Sequence, residues 1–284
     1  AKATLSGGEN QRSQDSGKIS VNVTWNKVDG ASGYRIYYTK EDDKIIILIS
    51  GGDKSTQSDD IVKAKKYLKD TVYSGQKVEI TYDRTTEGTI TTYDFTIKTE
   101  TNTAFAQVSK RGGLLISLSA YAEGGDPILG VEQAQEIAKN FVNNIGFENM
   151  RPVWREEKQN VLYVNLAPVV NDVVYYPDLV KVKVNLTSQE LIGVEATNYA
   201  LNHVGRNPQF NTSIDQTEDL LGFDFEILSA RKSVIRLDSG IEVACYELFV
   251  ERIDGTFFYY VDANTNQIAK VMKLVEVKGS QKLI

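Results

Sequence analysis

Apolar and polar positions alternate along residues 180–186, which read VKVKVNL. Successive side chains of a strand point to opposite faces, so this pattern predicts a strand with one buried face and one solvated face. The polar stretch 187–190 interrupts the alternation, and apolar character resumes at Leu191. The segment 173–203 is therefore predicted to form a hairpin, around which the rest of the chain is organised.

The same hairpin pattern occurs once upstream and once downstream. In each copy a valine is followed by apolar residues seven and ten positions later. The three sets are Val108, Leu115 and Leu118; Val184, Leu191 and Val194; and Val261, Ile268 and Val271. The valines stand 76 and 77 positions apart, farther than the ~20–50 residues of a solenoid repeat. We therefore predict three small repeated units whose valines occupy equivalent inward positions.

A helical apolar pattern precedes each hairpin. It is found at 58–69, where four lysines on other faces indicate a solvated surface, and it is widest at 131–145. Ser213 and Gln216 match a capping box before a short third helix. The pattern predicts an α+β fold: three tandem units, each with one helix packed on an antiparallel β-sheet, after a short N-terminal β-hairpin region. Further strand-like segments lie at 91–99, 161–170 and 243–250.

The predicted organisation has five parts. Residues 1–17 are polar and rich in Gly, Ser and Gln, as is typical of a disordered segment or tether. Strand-like alternation around Val21–Trp25 and from Tyr34 predicts the hairpin region. The parts are the tether at 1–17, the β-hairpin region at 18–54, and the units at 55–125, 126–207 and 208–278.

A fibronectin type III module is an alternative for the N-terminal part. The string VTWNKVDGASGYRIYY resembles the opening hairpin of that module. The alternative requires residues 18–100 to form one seven-stranded sandwich. A helix at 58–69 would exclude it.

Composition and charge argue against several classes of function. The chain has 284 residues and a net charge of −6, with no long run of Lys or Arg, so nucleic acid is not expected as a partner. The single cysteine excludes an intrachain disulfide framework and a multi-cysteine zinc site. No segment approaches the ~18 consecutive apolar residues of a membrane span.

Candidate catalytic chemistry is sparse. His203 is the only histidine, so any triad or dyad that uses imidazole would need it. We interpret His203 as a hydrogen-bonding residue at a loop or helix end, and Cys245 as a buried apolar filler. No phosphate-binding, metal-binding or nucleotide-binding motif is found. We therefore predict no catalytic, cofactor-binding or metal-binding residues.

Aromatic residues are the most informative excess, with 15 tyrosines and 10 phenylalanines. Four consecutive aromatics at 257–260 place two rings on each face of a strand. The second face either packs against the neighbouring unit or forms a partner-binding surface. The candidate surface residues are Tyr175, Tyr176, Pro177, Phe258 and Tyr260.

Longer strings carry a family resemblance. VDANTNQIAKV at 261–271 is similar to the ending of a PepSY domain, with Asn266 where that family usually has glycine. FAQVSKRGGLLISL, YYPDLVKVKVNLTSQELIGVEATNYALNH with the Arg206 that follows, and DGTFFYYVDANT occur in that order. Together they resemble the C-terminal region of the YpeB family of bacterial spore-germination proteins, over about residues 55–276. Gly130 departs from the usual Ser or Thr cap of the repeat helix.

The resemblance implies a non-enzymatic role in sporulation and cortex hydrolysis. Proteins of this family are associated with a cortex-lytic enzyme of the SleB type, which they stabilise and localise. The implied location is the extracytoplasmic face of the spore inner membrane or the spore cortex. Membrane association is expected only through an N-terminal anchor that this chain lacks. An alternative is a PepSY-type peptidase inhibitor or propeptide-like module.

Overall fold

The computed structural model describes residues 34–41, 44–51, 57–221, 225–277 and 280–284. The chain divides into two compact bodies, Ala1–Val62 and Lys63–Ile284. In the first body, strands β1 (Tyr34–Glu41) and β2 (Lys44–Gly51) pair as an antiparallel hairpin, which confirms the strand predicted from Tyr34. The tether predicted at 1–17 and the strand predicted around Val21–Trp25 lie outside the described residues.

The helices follow the apolar periodicity of the sequence. The helix predicted at 58–69 is confirmed and continues into a π-helical turn at Leu68–Val72. The fibronectin alternative is therefore wrong, because this helix lies where the sandwich needs strands. No helix in the described part of the chain is long and apolar enough to span a membrane. The helices are α1 (Gln57–Tyr67), α2 (Val131–Asn144), α3 (Thr197–Asn202) and α4 (Ile214–Leu221).

Local signals fix the starts of two helices. The backbone N–H of Ser213 donates to Gln216 Oε1 at 2.9 Å, and the Gln216 N–H donates to Ser213 Oγ at 3.2 Å, so the predicted capping box is confirmed. α2 starts after Gly130, which has no side chain to accept a hydrogen bond, and only Gln133 bonds back to the Gly130 N–H at 3.4 Å.

Fourteen strands of the second body form one mostly antiparallel sheet, so the fold is mixed α+β. The strands are β3 (Glu79–Thr86), β4 (Thr92–Lys98), β5 (Thr103–Ser109), β6 (Leu115–Ala120), β7 (Met150–Lys158), β8 (Val161–Val170), β9 (Val173–Tyr175), β10 (Val180–Asn185), β11 (Leu191–Glu195), β12 (Glu226–Arg236), β13 (Glu242–Arg252), β14 (Gly255–Asp262), β15 (Ile268–Val277) and β16 (Ser280–Leu283). A 3₁₀ turn at Tyr176–Asp178 separates β9 from β10.

The order of elements has an internal regularity. A helix followed by a four-stranded antiparallel run occurs at β3–β6, at β7, β8, β10 and β11, and at β12–β15. The first two runs join by antiparallel pairing of β6 with β11. The second and third join through β9, which pairs antiparallel with β8 and parallel with β12. We refer below to these runs as the first, second and third sheet regions.

The predicted register of the three valines is confirmed. Val108, Val184 and Val261 each have an exposed fraction of 0%. Because the bulge and the pairing are repeated, the three hairpins share one backbone design. Each valine pairs with the residue seven positions later, and each follows a register shift: Val108 with Leu115, Val184 with Leu191 and Val261 with Ile268.

Helices pack on the sheet in its second and third regions. α2 contacts β7, β8 and β10 and buries Ala134, Ala138 and Val142. In the third sheet region both faces are covered. Leu221 of α4 packs on one face against Leu248 and its neighbours, while the other face holds a separate buried cluster of Ile235, Cys245 and Tyr260.

Candidate partner-binding site

Three of the five candidate surface residues, Tyr176, Phe258 and Tyr260, come together where β14 faces the 3₁₀ turn, whereas Tyr175 packs in a separate cluster with Val173 and Val234. The rings of Tyr176 and Tyr260 meet edge to face, with centroids 6.0 Å apart. Tyr175, Pro177 and Tyr260 are buried, whereas Tyr176 and Phe258 are half-buried. These side chains therefore mostly pack inside the protein, and only Tyr176 and Phe258 keep exposed area. Their role in partner binding stays a prediction.

Phe258 links the third sheet region to β7. Its ring stacks on Phe249 at 4.5 Å between centroids and meets Trp154 of β7 edge to face at 6.4 Å. Aromatic pairs of this kind contribute about 0.5–1.5 kcal/mol beyond their buried area. At this position, aromatic residues thus form a contact between neighbouring sheet regions.

A charged pair lies beneath these aromatic rings. The Arg231 Nε donates to Glu247 Oε1 at 2.8 Å, and Arg231 Nη2 donates to the Tyr176 hydroxyl at 2.6 Å. Glu247 is 2% exposed, and a buried carboxylate of this kind is costly unless it is paired and hydrogen-bonded. Burial, reinforced by the Glu247 charge, raises the pKa of Tyr176 well above its usual range. The phenol stays protonated, and the pair ties β12 and β13 to the 3₁₀ turn.

Arg206 forms the second polar link between the sheet regions. Its Nη1 and Nη2 atoms donate to the two carboxylate oxygens of Asp178, each at 2.8 Å. Its Nε and Nη2 atoms donate to Glu242 at 2.7 and 3.0 Å. Asp178 is 1% exposed. The hydrogen bond to Glu242, followed by that to Asp178, raises the Arg206 pKa against the opposing effect of burial.

The short helix α3 positions this link. The Asn202 side chain donates to the Pro177 carbonyl at 3.0 Å, and its own carbonyl accepts from Arg206 Nη2 at 2.6 Å. Arg236 of β12 donates to Asn202 Oδ1, also at 2.6 Å. One residue of α3 thus contacts the 3₁₀ turn and β12 at the same time.

His203 ends α3 and completes the cluster. Its Nδ1 lies 2.7 Å from Asp178 Oδ2, and its ring stacks on Tyr199 at 4.2 Å between centroids. Its side chain is 45% exposed. His203 thus lies at a helix end and makes a hydrogen bond, in agreement with the sequence interpretation. Its carboxylate partner is also held by Arg206, so this geometry orients the segment after the central hairpin.

Cys245 lies inside the third sheet region. It is 0% exposed. In the sheet, this β13 residue pairs with Asp262 of β14 on one side and with Ser233 of β12 on the other. Burial, with smaller effects from Asp262 and Glu247, raises the pKa of its thiol to about 12. In the described part of the chain, no group of three or more His, Cys, Asp or Glu side chains is arranged to hold a metal ion.

The Cys245 thiol is expected to be nearly inert in the folded protein. The reactive species is the thiolate, and both burial and the raised pKa suppress it. Near neutral pH, Ellman's reagent should modify the native chain at least ~100-fold more slowly than the chain unfolded in guanidinium chloride. Equal rates in the two states would contradict the placement of Cys245.

Comparison with known families settles the kind of protein. A sequence model described as "YpeB sporulation, PepSY1 and PepSY2 domains" matches residues 14–209. The chain belongs to the YpeB family. The match includes the hairpin region at 18–54, which lies outside the residues 55–276 that carry the sequence resemblance. It ends before β12, so Glu242, Glu247 and Tyr260 lie beyond it.

Individual YpeB relatives agree with this assignment. The chain is 26% identical over 175 residues to the sporulation protein YpeB of Halalkalibacterium halodurans, an alignment that covers 61% of the chain and 39% of the relative. It is also 26% identical over 173 residues to YpeB of Bacillus subtilis, covering 60% and 38%. The aligned part is thus about two fifths of these relatives' length.

A solved structure shares the fold. The Bacillus megaterium YpeB C-terminal domain superposes with a TM-score of 0.66 and 21% sequence identity. The superposition covers 79% of this chain and all of that domain. At this identity the likeness supports the fold alone.

Sequence reasoning missed the charged residues that link the second and third sheet regions. Asp178 and Glu247 each stand within a mostly apolar run, YYPDLV and VACYELFV. Charged residues are seldom fully buried unless they are paired. That signal could have marked both as members of buried ion pairs, although it could not identify Arg206 or Arg231 as the partners.

Proposed function

We propose that this YpeB-family chain binds, stabilises and localises a spore-cortex lytic enzyme of the SleB type without catalysing a reaction. Family membership over residues 14–209 carries the proposal. The proposed site of action is the extracytoplasmic face of the spore inner membrane or the cortex. The names of the relatives support a role in sporulation. The identity of the partner, a cortex-lytic enzyme, is what we propose in addition.

The proposed architecture is three PepSY-like units at 55–125, 126–207 and 208–278. Two regularities support it. A helix precedes each four-stranded run, and the buried valine of each hairpin has the same pairing and the same preceding bulge. The contacts of Arg206 and Arg231 connect the second and third units, so these two units present their exposed surfaces in a fixed relation.

The proposed mechanism is linkage between binding and folding. A protein that binds only the folded state of an enzyme lowers the unfolded fraction, by an amount that grows with its concentration relative to Kd. No chemistry is needed for this effect. Cys245, the single thiol of the chain, is fully buried, which is consistent with a structural role.

Co-purification with the cortex-lytic enzyme of the same organism tests the proposal. The two proteins are mixed at low and at moderate salt, and each is then challenged with protease alone and in the mixture. A complex in which each protein protects the other is the expected result. Failure of the complex to form with any soluble portion of the enzyme would contradict the proposal. Inhibition of an extracytoplasmic peptidase at stoichiometric amounts, without such a complex, would favour the inhibitor role instead.

A further inference from the structure

A groove of about 380 Å³ lies between α1, the π-helical turn and the N-terminal end of β3. Its two apolar residues are half-buried, so they offer contact area without being part of the closed core. It lies within the first sheet region, on elements that take no part in the ion pairs of Arg206 with Asp178 and Glu242. The groove is lined by Lys65, Lys66, Lys69, Asp70, Val78 and Ile80.

The groove is locally positive on a chain whose net charge is −6. Lys66 forms an ion pair with Asp70. Among the described residues, neither Lys65 nor Lys69 forms an ion pair, so two positive charges remain for an external group. Glu79, at the start of β3, lies between the groove residues Val78 and Ile80 in sequence and is exposed. The lysine pattern of α1, interpreted from sequence as a solvated surface, thus borders a concave site.

The strand beside the groove is an edge of the sheet. β3 ends the strand order and pairs only with β4 in the part of the chain that the structure describes. Its register is regular from Glu79 to Tyr82 and shifts between Tyr82 and Arg84. An edge strand has a row of outward N–H and C=O groups to which another strand can add. The regular stretch therefore adjoins the basic groove.

We propose that the groove and the β3 edge bind an extended acidic segment of a partner protein. The segment adds to β3 as a further strand, which is a recurring mode of peptide recognition. Because successive side chains of a strand point to opposite faces, its carboxylates at every second position face the groove, where they meet Lys65 and Lys69 and their methylene groups contact Val78 and Ile80. A nucleic acid offers phosphate groups to the lysines but has no peptide backbone to pair with β3. A membrane surface likewise has no peptide backbone that could pair with β3.

This inference goes beyond the proposed function, because it does not require a cortex-lytic enzyme as the partner. The probe is a fluorescein-labelled seven-residue peptide of alternating valine and glutamate, titrated with the chain and followed by fluorescence anisotropy. The expected result is saturable binding that weakens with salt. Two comparison peptides have the same length, one with lysine in place of glutamate and one with N-methyl groups on alternate backbone nitrogens. Both are expected to show no saturable binding.

Charge reversal on α1 locates the site. Lys69→Glu and Lys65→Glu are each expected to raise Kd for the acidic peptide about 5–10-fold. Lys63→Glu is the matched control, because Lys63 lies on α1 but does not line the groove; it should change Kd less than ~2-fold. Circular dichroism and thermal unfolding show that each variant is folded. Equal weakening by Lys63→Glu and Lys69→Glu, retained binding of the N-methylated peptide, or no binding of the acidic peptide would each overturn the proposal.

Discussion

Replacing Arg206 with alanine is expected to lower the free energy of unfolding by about 3–5 kcal/mol. The substitution leaves Asp178 buried at 1% exposure without its bidentate partner. It also removes the hydrogen bonds to Glu242 that join β13 to the 3₁₀ turn. Removing one member of a buried ion pair costs more than the pair contributes, because the remaining charge stays desolvated.

Urea denaturation monitored by circular dichroism measures this effect. Arg155→Ala is the matched control, because Arg155 also pairs with a carboxylate, that of Glu132, but the two side chains are 40% and 80% exposed. The control should change the free energy of unfolding by less than about 1 kcal/mol. Arg206→Lys should recover only part of the loss, since an ammonium group cannot make the same forked contacts. Equal effects of Arg206→Ala and Arg155→Ala would contradict the role of Arg206 as the partner of a buried carboxylate.

Replacing any one of the three hairpin valines with alanine is expected to lower the free energy of unfolding by about 2–3 kcal/mol. Val108, Val184 and Val261 are completely buried and have the same pairing. Each substitution removes two methyl groups and leaves a cavity. Similar costs at the three positions are expected because the local geometry is repeated.

The comparison is made by the same denaturation experiment. Val271→Ala is the control, because Val271 belongs to the hairpin of Val261 but is 43% exposed. Its loss should be below about 1 kcal/mol. Costs for the three buried valines that differ by more than about threefold, or a control as costly as Val261→Ala, would argue against equivalent positions.

Local patterns predicted much of the secondary structure. The alternation along Val180–Asn185 gave β10, and the apolar stripe at 131–145 gave α2, because burial of one face imposes a period on the sequence. The capping box at Ser213 marked the start of α4 for a similarly local reason. The offsets of Val108, Val184 and Val261 predicted their shared register, since a hairpin with a fixed turn and bulge keeps a fixed spacing.

The contacts between sheet regions were not predictable in the same way. β9 has only three residues, and its parallel pairing with β12 joins segments far apart in the chain. Asp178 and Glu242 meet through Arg206, although 64 positions separate the two carboxylates. No periodicity within one segment encodes such a meeting. Sequence reasoning also could not tell that Tyr260, one of the surface candidates, is buried against the ring of Tyr176.

The central claim is that this YpeB-family chain stabilises a folded cortex-lytic enzyme by binding it. The most direct measurement is the thermal unfolding midpoint of that enzyme at increasing concentrations of the chain. The midpoint should rise with concentration, and at about 100 times Kd the stabilisation should approach about 2.7 kcal/mol. A midpoint that stays constant over the whole range, while the chain itself remains folded, would contradict the claim.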